Sequence, residues 1–299
     1  MTDLASTDRG TLYVVATPIG NLGDLSTRAR DTLADVALIA AEDTRHTAQL
    51  LRSLGLGTRL TSLHEHNEQG RVATVLGALE AGQSVALVSD AGTPLVADPG
   101  YALVSAAQAS GFRVVPVPGP CAAITALSVA GLATDRFCFE GFLPAKRAAR
   151  RARIEALVRE ERTLVFYEAP HRVRESLEDL AELLGGRPAT VARELTKLHE
   201  TLYHGTLPAL AASAASDANI ERGELVFVIA GAQPQPVDAD PLLERLLVAL
   251  LAQLPVSRAV DVAVAATGAR RNVVYKAALA LQARTGDPTG QLEVPPESA

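Results

Sequence analysis

Over the first half of the chain, short runs of β-branched and aliphatic residues alternate with longer segments in which Ala and Leu recur at helical spacing among Arg, Glu and Asp. Strands are expected at Leu12–Ala16, Val36–Ala40, Arg59–Leu63, Val85–Ser89 and Val114–Val117. Strand and helix in regular alternation is the pattern of parallel strands joined by crossover helices, so this half reads as an α/β lobe. A second strand group starts near Phe137, after the connector Gly131–Asp135, and continues at Thr163–Tyr167, Ala189–Arg193, Glu200–Gly205 and Glu224–Ala230, giving a second α/β lobe. Ala232–Asp240, with Pro234 and Pro236 inside it and Pro241 behind it, cannot continue a helix or a central strand and reads as a linker. Beyond it Leu242, Leu243, Leu246, Leu247, Leu250, Leu251 and Leu254 form one broad helical stripe, and further helices broken near Thr267-Gly268 complete a small helical module. The expected divisions are 1–133, 134–233 and 240–285, with a tail at 286–299 whose composition predicts disorder.

With 299 residues, 48% of them hydrophobic, the chain has ample material for buried cores. Its net charge of −6 excludes a generalised polycation, so any contact with nucleic acid has to be a local patch. Six Phe, five Tyr and no Trp argue against an aromatic platform that stacks bases. Cys121 and Cys138 form no C-x-x-C pair and no disulfide framework, which suits a reducing compartment. No apolar run reaches membrane-spanning length and MTDLASTDRG has no signal-peptide core, so no membrane is expected and the cytoplasm is the expected location.

The chain contains no Gly-Lys pair, which removes a P-loop, and Gly55-Leu56-Gly57 lacks both the third glycine and the following helix of a dinucleotide fingerprint. His64-Glu65 and His199-Glu200 miss the zincin spacing, so no catalytic metal is expected. What remains is a set of Gly- and Pro-rich loops at strand ends: TPIGNLGD at 17–24, SDAGTP at 89–94, DPG at 98–100 and PVPGP at 116–120. Glycine admits close backbone approach and proline fixes φ, so such loops build a rigid pocket of main-chain groups suited to a polar, nucleoside-like molecule. Asp24 is placed to cap a helix over Leu25–Leu33, and Cys121 has no activating base beside it.

Nine blocks in order, TPIGNLGDLS, AEDTRHTAQLL, HEHNE, SDAGTPLVADPGY, VPGPCAAITAL, FEGFLPAKR, FYEAPHR, ARELTKLHE and GELVFVIAG, resemble the ribosomal RNA small subunit methyltransferase I family. That family belongs to the tetrapyrrole-methylase-like superfamily, whose class III methyltransferase fold has two α/β lobes around the cofactor. The resemblance covers about Leu12 to Gly231. It implies S-adenosylmethionine as cofactor, a cytidine ribose 2′-hydroxyl of 16S ribosomal RNA as acceptor, the RNA or the assembled small subunit as partner, and a homodimer. By the same resemblance the cofactor loops map onto Pro18 and Gly20, onto Ser89, Asp90, Ala91, Gly92 and Thr93, and onto Pro118, Gly119 and Ala123, with Tyr167 and Glu168 closing the pocket from the second lobe. The first loop departs from the Gly-x-Gly-x-Pro-Gly-Asp-like form of the tetrapyrrole enzymes, which favours the RNA branch and leaves Asp24 without an assigned role beyond the cap.

For the acceptor side, charged clusters behind expected strands offer Asp43 or Glu42 as proton acceptor, Arg45 as a phosphate contact, His66 as an alternative base, and Arg193 with Lys197 as further contacts. Between Lys146 and Arg162 seven cations face three acids, and Lys146, Arg150 and Arg153 share a helical face, with Arg147 beside them. The helical module adds Arg270 and Arg271. Both sets are expected to grip RNA backbone. Two other readings stay open at this stage: a tetrapyrrole methyltransferase of the same fold, and a non-enzymatic RNA-binding assembly factor.

Overall fold

The computed structural model describes residues 9–63, 68–217, 219–233 and 241–285. Most of the expected linker and all of the tail 286–299 lie outside the described residues. Chain contacts divide the molecule into two compact units, Met1–Gly231 and Ala232–Ala299.

The first unit opens with strands β1 (Thr11–Val15), β2 (Leu38–Ala41), β3 (Leu60–Ser62), β4 (Val85–Val88) and β5 (Arg113–Val117), in the order β3-β2-β4-β1-β5 and all parallel. Helices α1 (Thr27–Asp35), α2 (Thr44–Ser53), α3 (Glu68–Glu80) and α4 (Tyr101–Ala109) are the crossovers, and α5 (Ala122–Val129) leaves the sheet. The sequences LIAA and VALV carry no alternation because β2 and β4 are buried along their whole length, as strands covered on both faces must be. The connections leaving β1 and β4, which are neighbours, run toward opposite edges of the sheet. That reversal opens a crevice beyond their carboxyl ends.

The second sheet contains β6 (Phe137–Phe142), β7 (Thr163–Glu168), β8 (Pro188–Arg193), β9 (Thr201–Thr206) and β10 (Leu225–Ile229) in the order β6-β7-β10-β8-β9. Only β6 and β7 are parallel; β10 runs antiparallel to β7 and β8, and β8 to β9. Helices α6 (Arg147–Ala156), α7 (Val173–Leu184) and α8 (Leu207–Ser216) cover one face around Leu143, Ile154, Phe166, Leu177, Leu180 and Phe227. On the other face Val165, Ala192, Val226 and Val228 share a core with Ile19, Ala123, Ala126 and Leu127 of the first half. The two sheets are therefore joined through α5 and the first loop.

Asp24 is not the cap the sequence suggested. Asn21 caps a short 3-10 turn, Leu22–Asp24, and Ser26 caps α1 by accepting a hydrogen bond from the Ala29 amide at 3.1 Å. The inserted turn moves the helix start two residues on, to where a hydroxyl can reach an unpaired N–H.

The second unit consists of α9 (Pro241–Leu251), α10 (Val256–Thr267) and α11 (Arg271–Thr285) around Leu243, Leu247, Val260, Val274 and Ala278. Gly268, left-handed at φ 69°, ends α10 with its amide on the Val264 carbonyl. Among the described residues no helix is long and apolar enough to cross a membrane.

Candidate active site

The crevice is assembled by the backbone before any side chain enters it. Thr17 and Gly92, at the exits of β1 and β4, exchange backbone hydrogen bonds at 2.9 and 3.1 Å. Gly92 sits at φ 78°, and a Cβ there would stand 3.2 Å from Ile19 Cγ2. A side chain at this point is opposed by both conformation and space. Thr93 Oγ1 donates to the Pro120 carbonyl at 3.0 Å, tying the β4 loop to the β5 loop. A Cβ on Gly119 would lie 3.0 Å from Ala16 Cβ, so that loop lies flush against β1. Across the crevice the Ala123 amide donates to Tyr167 Oη at 3.2 Å, and Phe139 and Phe142 meet the Tyr167 ring edge-on at 4.9 and 5.6 Å.

The result is a pocket of about 380 Å³, within the range of small-molecule sites. Its first-half lining is Ile19, Glu42, Asp90 to Thr93, Val96 to Asp98 and Ala122; the second half contributes Phe142, Tyr167 to Pro170, Ala192, Leu195 and Glu224 to Val226. Of the residues expected around a cofactor, Asp90, Ala91, Gly92, Thr93, Tyr167 and Glu168 line it. Pro18, Gly20, Ser89, Pro118, Gly119 and Ala123 do not; they flank lining residues or support the loops. Among the described residues five carboxylates belong to the lining, Glu42, Asp90, Asp98, Glu168 and Glu224, and no Lys or Arg. Left-handed Leu95 (φ 71°) and Ala97 (φ 69°) concentrate backbone strain in the loop carrying Asp98.

Several expected roles change once partners are visible. The Glu168 carboxylate accepts from the Ala169 amide at 2.8 Å, from Ser176 Oγ at 2.5 Å and from Arg172, so it anchors the turn behind the pocket. Asp43 caps α2 and holds the Arg45 guanidinium two-handed, at 2.6 to 3.1 Å. The Arg45 hydrogen bonds keep the Asp43 carboxyl well below the usual carboxylate range, which makes it a poor proton acceptor. Asp90 is held by the Asp43 amide at 2.9 Å and by His46 Nδ1 at 3.1 Å. Asp43, His46 and Asp90 are the one grouping of potential cation ligands found among the described residues, and the Arg45 guanidinium already occupies Asp43. His66 lies outside the described residues.

Asp98 was not singled out from the sequence, where it reads as part of a turn. Burial, reinforced by the neighbouring Glu42 carboxylate, pushes its carboxyl up to about 6. The pattern Ala97-Asp98-Pro99-Gly100 gave no sign of this, because the burial comes from the folded loop.

The basic clusters are largely spent inside the protein. Arg150, expected on the RNA face, is 1% exposed and bonds Asp179, equally buried, at 2.8 Å and Glu175 at 3.1 Å. Arg147 and Arg151 converge on the same Asp179, Arg151 also forks onto Glu182 at 2.7 Å, and Arg153 pairs with Glu140. Sequence periodicity placed Arg150 beside Lys146, but α7 packs over that face and brings its carboxylates. Lys146 stays exposed. Arg193 is buried, with Nε on the Arg222 carbonyl at 2.7 Å and Nη1 on the His199 carbonyl at 3.1 Å, so it holds loops together instead of reaching solvent. Lys197 gives its ammonium to Glu194 and Glu224, at 2.8 and 3.1 Å, and lays its stem over Gly20. Arg271 pairs with Asp261, whereas Arg270 is exposed.

Residues 11–211 match the family described as Tetrapyrrole (Corrin/Porphyrin) Methylases, and 235–282 match the RsmI C-terminal HTH domain. Relatives named Ribosomal RNA small subunit methyltransferase I are 52% identical in Pseudomonas aeruginosa, over 92% of this chain and 99% of the relative, and 54% identical in Xylella fastidiosa, over 89% and 98%. The chain belongs to the ribosomal RNA small subunit methyltransferase I family. As a member of that family it is a methyltransferase and uses a methyl donor. Its fold is that of uroporphyrin-III-C-methyltransferase from Thermus thermophilus (TM-score 0.54, 20% identity, 74% of this chain and 94% of that one) and of CobJ (TM-score 0.56, 22% identity, 75% and 95%). At that identity the likeness speaks to architecture alone.

Proposed function

We propose that the protein transfers the methyl group of S-adenosylmethionine to the ribose 2′-hydroxyl of a cytidine in 16S ribosomal RNA, in the cytoplasm and as a homodimer. The observation that carries this reading is relatives at about half identity that are matched over nearly their whole length and bear the rRNA methyltransferase name. The pocket fits the donor. Ala91, Val96, Leu195 and Val226 give it apolar walls, the missing side chain at Gly92 leaves backbone accessible, and carboxylates without any Lys or Arg suit a ligand cationic at sulfur and nitrogen. The same charge pattern is unfavourable for a nucleoside polyphosphate or a polycarboxylate macrocycle.

S-adenosylmethionine supplies an electrophilic methyl carbon on a sulfonium leaving group, so the protein's task is alignment and exclusion of water. The β1, β4 and β5 loops, cross-tied through Thr17–Gly92 and Thr93–Pro120, hold the donor side. Tyr167, Ala192 and Val226 close it from the second sheet. The hydroxyl proton passes to Asp98, whose raised basicity matches neutral pH better than Asp43 does, with Glu42 in the same lining. Lys146 and Arg270, both exposed, remain the RNA contacts from the expected set, whereas Arg45 is exposed but bound to Asp43.

The test is to supply methyl-labelled donor with small ribosomal subunits and map the product by nuclease digestion and mass spectrometry. One ribose methyl on one cytidine is expected. Label on a base, or on a precorrin with none in RNA, overturns the reading. Light scattering should give twice the chain mass of 31.3 kDa.

A further inference from the structure

The donor pocket repels phosphate, and most of the arginines expected to hold RNA are bound to carboxylates of the protein itself. A second cleft has the opposite chemistry. It runs along edge strand β3, has a volume of about 610 Å³, and is lined by Arg59 and Arg71 with the hydroxyls of Thr44, Thr61, Ser62 and Thr74. Leu38 and Leu60 complete the lining, which among the described residues contains no Asp or Glu. Arg59 and Arg71 are exposed, and none of the carboxylates whose side chains are described pairs with either. Arg71 and Thr74, three apart on α3, share one helical face. Thr44 stands two residues after Glu42, which lines the donor pocket, so the cleft adjoins that pocket through the β2–α2 connection.

We infer that this cleft binds the sugar–phosphate backbone of single-stranded RNA next to the nucleotide being methylated. The inference rests on the RNA reading above and adds where the strand lies. Two exposed guanidinium groups, paired with none of the carboxylates whose side chains are described, offer forked donors to phosphate oxygens. Hydroxyl side chains can bond phosphate or ribose 2′-oxygens, and two leucines give a sugar or base an apolar surface. From Arg59 to Ser62 the groove extends about 10 Å at strand rise, more than a single small anion requires.

The experiment compares the full chain with its Arg59→Gln/Arg71→Gln variant, using a single-stranded oligonucleotide of small-subunit rRNA as probe over a salt series. Loss of two phosphate contacts should weaken binding at least tenfold and reduce the slope of log affinity against log salt by about 1.4, or 0.7 per contact. Calorimetric affinity for S-adenosylhomocysteine and the melting temperature should not move. A control, Arg28→Gln/Arg113→Gln, removes two exposed charges elsewhere and should change RNA affinity less than twofold. An unchanged slope in the cleft variant, or an equal loss in the control, overturns the inference. Displacement of the probe by millimolar inorganic phosphate, unmatched by chloride at equal ionic strength, assigns the cleft to a free oxyanion and overturns it too. If the cleft variant methylates RNA with unchanged KM, the cleft is wrong and the RNA reading stands; if the unaltered protein neither binds nor methylates RNA, both fall.

Discussion

At the scale of single residues, environment decides which carboxylates and cations can do chemistry. Asp98 sits in the pocket with its carboxyl raised to about 6, and Asp43 is held down by Arg45. Asp98→Asn should lower kcat by about 100-fold with a smaller change in donor affinity, and should abolish the rise in rate near pH 6. The same shift affects stability with a definite sign. The folded carboxyl binds a proton more tightly than the unfolded one, at 3.8, so stability falls as pH rises from about 4 to about 6. In thermal melts Asp98→Asn should therefore be the more stable protein at pH 7.5, and the difference should close at pH 4. Arg150 gives the opposite case of a cation with a structural task. Arg150→Ala removes the one fully buried guanidinium of the three that hold Asp179 and should cost about 1–3 kcal/mol in urea unfolding, while the folded fraction keeps its RNA affinity. Exposed Arg153, paired with Glu140, should cost less than about 1 kcal/mol when cut to Ala.

At the scale of elements, the site is made by loops that rigid strands hold at one end of a sheet. Gly92 is one of these joints, left-handed, paired to Thr17 and close to Ile19. Gly92→Val should abolish calorimetric donor binding and leave the far-ultraviolet dichroism close to the parent's, because the residue lies outside every strand and helix. The loop between β8 and β9 is a second joint. Glu194 and Thr196 are left-handed there, and Lys197 crosses to the first loop over Gly20. Both loops carry strain where the two sheets meet the pocket.

At the scale of the whole molecule, the two compact units have separate cores. The pocket between the β1, β4 and β5 loops and the second sheet, and the β3 cleft, both belong to the first unit, whereas Arg258, Arg270 and Lys276 are exposed on the second. A chain ended at Gly231 should thus bind S-adenosylhomocysteine with unchanged affinity in calorimetry. It should lose affinity for small subunits, with a shallower salt dependence.

The amino-acid sequence alone determined where the ten strands fall to within two residues, since short runs of β-branched and aliphatic residues between helical segments have few other ways to bury themselves. It also marked the Gly- and Pro-rich strand-end loops, of which those at 17–24, 89–94 and 98–100 line the pocket, because glycine and proline are legible one position at a time. Only the tertiary structure decided which charges are free. Periodicity put Lys146, Arg150 and Arg153 on one face, yet it carries no record that α7 delivers Asp179 and Glu175 to that face. Asp98 and the Arg59–Arg71 cleft stayed hidden for the same reason. Desolvation and ion pairing depend on distances between residues far apart in the chain, and a linear pattern does not contain those distances.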